Sequence, residues 1–113
     1  MNFSDIQNVL TVAEERSFTR AARRLYVSQS AVSQSIAKVE RELYVRLFIR
    51  DNSTVRPTPI CDAFVKYGRS IMSQYDGLRK EMEAAAKQGE KRLRIGTASF
   101  FFKFLTYHAE VLK

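Results

Sequence analysis

Tryptophan is absent from this chain, histidine and cysteine occur once each, and the 113 residues include only two prolines and four glycines. A single cysteine, Cys61, excludes an intrachain disulfide and fits a reducing compartment. With His108 as the one histidine, no Cys/His metal spacing can be assembled. The few glycines form no phosphate-cradling loop. No apolar run approaches the roughly 20 residues that a membrane helix needs. The opening Met1-Asn2-Phe3-Ser4-Asp5 lacks the basic-then-apolar order of a signal peptide. Enzyme chemistry finds little support: no nucleophile lies near His108 in sequence, Glu40 and Glu42 read as solvated helix carboxylates, and Cys61 reads as a small helix residue. The expectation is a cytoplasmic chain that is not an enzyme, holds no metal or cofactor, and does not enter a membrane.

Hydrophobic residues make up 45% of the chain, enough for a real core. Lys and Arg outnumber Asp and Glu by 19 to 12, and a net charge of +7 favours a polyanionic partner, most often nucleic acid. The charge is uneven. Residues 1–58 carry nine basic and six acidic residues, 59–91 carry six and five, and 92–113 carry four and one. A nearly neutral middle suits a segment that packs against protein.

Hydrophobic spacing divides the chain. Ser4 and Gln7 read as a capping box that opens a helix over about 5–15, with Ile6, Val9, Leu10 and Ala13 on one face. Ser17 caps a second, short helix over 18–25 with Ala21, Ala22 and Leu25. Ser28 caps a third, whose stripe is Val32, Ile36, Val39 and Leu43. Two β-prone runs, 45–50 and 54–56, flank the polar turn Asp51-Asn52-Ser53 and read as a hairpin. Thr58-Pro59 then opens a long helix, Thr58 as cap and Pro59 at the first position. Its stripe runs Ile60, Phe64, Tyr67, Ile71, Tyr75, Leu78, Met82 and Ala85, like a coiled-coil seam, and Gln88-Gly89 is the expected stop. Leu93-Arg94-Ile95 alternates like a strand, and the aromatic tail after it holds Phe100, Phe101, Phe102, Phe104 and Tyr107.

A short helix, a tight turn and a longer polar-faced helix define a helix-turn-helix. The following hairpin would be its wing. The second helix of such a unit enters the major groove of DNA and presents its N-terminal residues to base edges. Those residues are Gln29, Ser30, Ser33 and Gln34. Thr19, Arg20, Ser28, Lys38, Arg50 and Arg56 are the candidates for backbone phosphate contact, which supplies affinity and register. Each also has a plainer reading: Ser28 as a cap only, Gln34 as a solvated side chain, Lys38 and Arg41 as partners of Glu40 and Glu42. Phe64, Tyr67, Ile71, Tyr75, Leu78 and Met82 are the expected dimerisation seam, since an uncovered apolar stripe invites association.

Several stretches resemble LysR-type transcriptional regulators: Ala13-Glu14-Glu15-Arg16-Ser17-Phe18-Thr19-Arg20-Ala21-Ala22, Leu25-Tyr26-Val27-Ser28-Gln29-Ser30-Ala31-Val32-Ser33, and Leu43-Tyr44-Val45-Arg46-Leu47-Phe48 with Arg50. The resemblance runs from residue 1 to about 60. It implies a mainly α chain: a winged helix-turn-helix over 1–58, a linker and dimerisation helix over 59–89, and over 90–113 the start of an effector-binding domain with a short strand and a possible helix. It places Gln29, Ser30, Ser33 and Gln34 at base-contacting positions, and Thr19, Ser28 and Lys38 at backbone contacts. The implied partners are double-stranded DNA, a second copy of the chain, and a small inducer only where a longer form completes the effector domain. Ser99 could, by resemblance, line that inducer cleft. Residues 92–113 alone cannot build the pocket. Tyr44 and Asp62 stand where this family usually has glycine, and Ser53 and Gln34 where a basic residue is common. If position 44 requires a positive φ, tyrosine is strained there.

Two other functions compete with operator reading. A dimerising module could antagonise full-length relatives without binding operators itself, and the Phe-rich tail could favour a membrane surface.

Overall fold

The computed structural model describes residues 1–51 and 54–93. Among them the order is α1 (Phe3–Glu15), α2 (Phe18–Leu25), α3 (Gln29–Leu43), β1 (Phe48–Asp51), β2 (Thr54–Pro57) and α4 (Pro59–Leu93). One compact unit comprises Met1–Gln74, and the rest of α4, from Tyr75 on, belongs to a second. The expected strand at Leu93-Arg94-Ile95 is not seen at Leu93, which ends α4; Arg94, Ile95, Ser99, the aromatic tail and His108 lie outside the described residues, as do Asn52 and Ser53 at the wing tip.

The core of the first unit is aliphatic and close-packed. Val9 and Val12 of α1, Ala21 and Ala22 of α2, and Val32, Ile36 and Val39 of α3 meet Leu47, Phe48, Val55 and Cys61. Burying each of the larger of these side chains stabilises the fold by about 1.5–3 kcal/mol. The alanines let α2 lie close to its neighbours. Gly68 does the same for α4: a Cβ there would lie 3.1 Å from Leu10 and 3.3 Å from Ile6 on α1.

Ser17 and Ser28 cap α2 and α3 as expected, their hydroxyls accepting from the N–H groups of Arg20 and Ala31. The start of α1 differs. Its cap is Asn2, not Ser4, and the capping box pairs Asn2 with Asp5. Asp5 is drawn into that role because its carboxylate also serves α3. The Ser35 hydroxyl donates to one oxygen at 2.7 Å, and Lys38 Nζ lies 3.1 Å from the other. Burial alone would push this carboxyl up, but the bonds from Ser35, the Asn2 N–H and Lys38 together hold it below the usual carboxylate range.

All three short helices end on a non-glycine residue in the left-handed region: Arg16 (φ 51°), Tyr26 (φ 56°) and Tyr44 (φ 56°). At Tyr26 and Tyr44 the next N–H, of Val27 or Val45, donates back to Ala22 or Glu40. This turn favours glycine, so tyrosine at position 44 is strained, as the family pattern suggested.

The wing is an antiparallel pair with Phe48 opposite Pro57, Ile49 opposite Arg56, Arg50 opposite Val55 and Asp51 opposite Thr54. Side chains alternate across a sheet. Phe48, Arg50 and Val55 therefore share the face toward the core, while Ile49, Asp51 and Arg56 share the outer one. The strand starts at Phe48 rather than Val45, because Leu47 uses its backbone elsewhere. Its N–H donates to Glu40 Oε2 at 2.8 Å, and its carbonyl accepts from the Thr58 N–H at 2.9 Å. Thr58 was expected to cap α4. Its hydroxyl instead donates to the carbonyls of Arg46 (2.6 Å) and Leu47 (3.2 Å), clasping the base of the wing.

α4 continues four residues past the expected stop at Gly89. Glycine in a helix costs about 1 kcal/mol relative to alanine but does not by itself end one, and the flanking Lys87, Glu90 and Lys91 are good helix formers.

Candidate nucleic-acid interface

The first turns of α3 carry four polar side chains at its surface. Gln29, Ser30 and Gln34 are exposed and Ser33 is half-buried, while Val32, Ser35, Ile36 and Val39 point into the molecule. The helix thus divides cleanly, and the expected base-contacting residues form one face. They are also linked. The Thr19 hydroxyl on α2 donates to Gln29 Oε1 at 3.4 Å, and Gln34 Nε2 donates to Ser30 Oγ at 3.4 Å. Arg50 Nη2 on β1 donates to Ser33 Oγ at 3.0 Å. The Arg50 guanidinium lies 3.8 Å from the centre of the Phe18 ring, and Phe18 packs edge-on against Phe48, centroids 6.3 Å apart.

The residues expected to hold phosphates are mostly engaged within the chain. Arg20 Nη2 donates to the Glu15 carbonyl at 2.8 Å. Ser28 caps α3, Lys38 is paired with Asp5, and Arg56 with Asp51. Thr19 is exposed at the N-terminal end of α2. Sequence reasoning missed Arg23 on α2 and Arg46 ahead of the wing, which are exposed and carry no ion pair among the described residues. Charge alone does not reveal which cations are already paired.

Cys61 is fully buried. Burial, helped by Asp62 and Glu40, pushes its thiol up to about 11, so it stays protonated and inert at neutral pH.

Away from the polar face of α3, α1, the end of α3 and the start of α4 enclose an open apolar groove of about 300 Å³, lined by Ile6, Leu43, Leu47, Phe64, Tyr67 and Ile71 among others. Phe64 is half-buried against the core, whereas Tyr67 and Ile71 stay exposed, Tyr67 by 65%. In the second unit Leu78 and Met82 are exposed and Tyr75 is half-buried. The groove brings Tyr67 and Ile71 of the expected seam together with Ile6 of α1 and Leu43 of α3. No helix among the described residues is long and apolar enough to cross a membrane.

A polar helix face carried on a helix-turn-helix and flanked by a two-stranded wing defines a winged helix-turn-helix protein. Residues 3–62 match the family described as bacterial regulatory helix-turn-helix protein, lysR family. The chain belongs to the LysR family. It is 36% identical over 102 residues to the HTH-type transcriptional regulator HdfR of Yersinia enterocolitica, covering 89% of this chain and 34% of HdfR. It is 33% identical over 94 residues to the small neutral protease regulatory protein of Streptomyces coelicolor, covering 83% of this chain and 29% of that protein. The chain therefore spans about a third of the length of these relatives. Among solved structures, the DNA-binding domain of BenM in complex with catB site 1 DNA is 30% identical with a TM-score of 0.72, over 76% of this chain and 96% of that one. The DNA complex of the CbnR DNA-binding domain is 29% identical with a TM-score of 0.73, over 76% and 99%. A full-length OxyR variant from Pseudomonas aeruginosa is 36% identical with a TM-score of 0.71, over 74% of this chain and 28% of that one.

Proposed function

We propose that this chain is the DNA-reading part of a sequence-specific transcription regulator that works as a dimer in the bacterial cytoplasm. The observation that carries the reading is the exposed face of Gln29, Ser30, Ser33 and Gln34 at the start of α3. It stands on a fold shared with the BenM and CbnR domains, whose structures hold DNA. Gln29 and Gln34 offer amides that can bond base edges, and the two serines offer adaptable hydroxyls. Thr19, Arg20, Ser28, Lys38 and Arg56 are assigned to the phosphate backbone, with Arg23 and Arg46 added. For Lys38 and Arg56 a phosphate must compete with a carboxylate already in place.

The apolar groove and the exposed members of the α4 seam are assigned to a second copy of the chain. Residues 94–113, which follow α4 in sequence, are assigned to the start of an effector-binding domain, and a small inducer belongs only to a longer form that completes it. The competing reading, a dimerising antagonist that does not bind operators, is not favoured, because α3 keeps an intact polar face. The membrane-surface reading rests only on the tail outside the described residues and is not pursued.

Selection from a duplex library with a randomised core tests the proposal. Gln29→Ala is expected to weaken the selected site by about 1–3 kcal/mol and random DNA by less. Equal losses on both would remove Gln29 from base reading. A wild-type chain that selects no sequence would refute the function.

A further inference from the structure

We propose that Arg50 is a positioning residue that makes Ser33 read DNA as a hydrogen-bond donor, rather than a phosphate ligand. The inference rests on the DNA-reading role proposed above and deepens it by naming the base chemistry that Ser33 selects.

Pairing of Arg50 with Val55 puts it on the face of the wing that also carries the buried Phe48, away from the outer face of Ile49 and Arg56. Its guanidinium carbon lies 3.8 Å from the centre of the Phe18 ring, which is itself buried and packed edge-on against Phe48. From there Nη2 reaches Ser33 Oγ at 3.0 Å. Three elements, β1, α2 and α3, thus fix one bond.

The direction of that bond is not open to choice. A guanidinium only donates, so the serine oxygen must accept. One lone pair of Ser33 is thereby occupied by a cation. Polarisation by the cation weakens the oxygen further as an acceptor and strengthens its O–H as a donor. The second lone pair, on an oxygen already bonded to a cation, is the poorer acceptor, so what Ser33 best offers a base edge is the O–H. In the major groove it suits the acceptors, namely purine N7, guanine O6 and thymine O4, and not the amino groups of cytosine N4 or adenine N6. Without Arg50 the hydroxyl would rotate, either to accept from an amino group or to turn back onto the helix carbonyl four residues earlier. Preference at that base pair would then fade.

The same randomised duplex library tests this, applied to the full 113-residue chain and to Ser33→Ala, Arg50→Met and Arg50→Lys. Ser33→Ala is expected to lose preference for an acceptor edge at one base pair by roughly three- to tenfold, the worth of one hydrogen bond. Arg50→Met is expected to lose it at that same base pair, leaving the other positions and the salt slope as in wild type. Arg50→Lys keeps the charge but lacks the planar fork, so it should also lose the preference; it decides the matter if the Met variant melts early. The proposal is overturned if Arg50→Met weakens all duplexes alike and lowers the salt slope by about one, or if Arg50→Lys keeps the wild-type preference. A wild-type chain with no preference among duplexes overturns the DNA-reading role along with it, whereas a selective wild type with unmoved Arg50 variants overturns this assignment alone.

Discussion

Tyr44 shows at the scale of one residue how a family pattern turns into a physical strain. It is 93% exposed, so its ring gains little from packing, and it closes α3 with a φ of 56°. The left-handed region costs a non-glycine residue about 1–2 kcal/mol. Glycine avoids that cost but loses more freedom on folding, by about 0.5–1 kcal/mol. Tyr44→Gly is therefore expected to stabilise the chain by about 0.5–1 kcal/mol, read as a higher urea midpoint at unchanged slope. A lower midpoint would mean that the ring has a role in the fold. Residue by residue, the polar face of α3 was legible because its alternation with buried Val32, Ile36 and Val39 is a local pattern. The pairing of Arg50, Arg56 and Lys38 was not, since each partner is chosen by tertiary or cross-strand geometry, and that of Arg20 with Glu15 depends on the turn between α1 and α2.

Among the elements, α1 and α3 are joined by the Asp5 carboxylate, which serves at once as cap partner of Asn2 and acceptor for Ser35 and Lys38. Its pKa lies lower in the folded chain than in the unfolded one. The bonded carboxylate therefore stabilises the fold above the ordinary aspartate value of about 3.9, and this contribution is lost as pH falls through the lower folded value. Asp5→Asn should be less stable than wild type at neutral pH, and the gap should narrow as the pH drops below about 4. Denaturation across that range checks it, and a gap independent of pH would exclude Asp5 as the titrating group. This tie also explains why the sequence misplaced the start of α1. Ser4 satisfies a local capping pattern, but the rule sees four residues, whereas Asp5 is held by partners 30 and 33 positions away. Misreading Thr58 and Gly89 had similar causes. A hydroxyl can donate as well as cap, and glycine can remain in a helix. The number and order of the helices and the wing were legible because caps, turns and stripes agree there.

For the whole molecule, the consequential surface is the apolar one. Ile71 and Tyr67 lie at the groove of the first unit, and within the second unit Leu78 and Met82 are exposed on α4. A C2 pairing would cover such a surface and offer two copies of α3 to two half-sites. The near balance of six basic and five acidic residues over 59–91 offers little opposition to it. Ile71→Asp would place a charge in that contact and is expected to give monomers with weakened operator binding. Deleting residues 97–113 should leave the dimer intact. Sedimentation at micromolar concentration distinguishes the cases: a dimeric Ile71→Asp chain, or a monomeric tail deletion, would rule out assembly through this seam.

Thr58 closes the wing at its base by bonding to the carbonyls of Arg46 and Leu47. The hairpin is therefore anchored independently of its tip. Lengthening the chain between Asp51 and Thr54 adds chiefly loop-closure entropy, about 0.6 kcal/mol for each doubling of loop length. Insertions and deletions at that point offer evolution a way to change the reach of the wing while the helical core stays as it is.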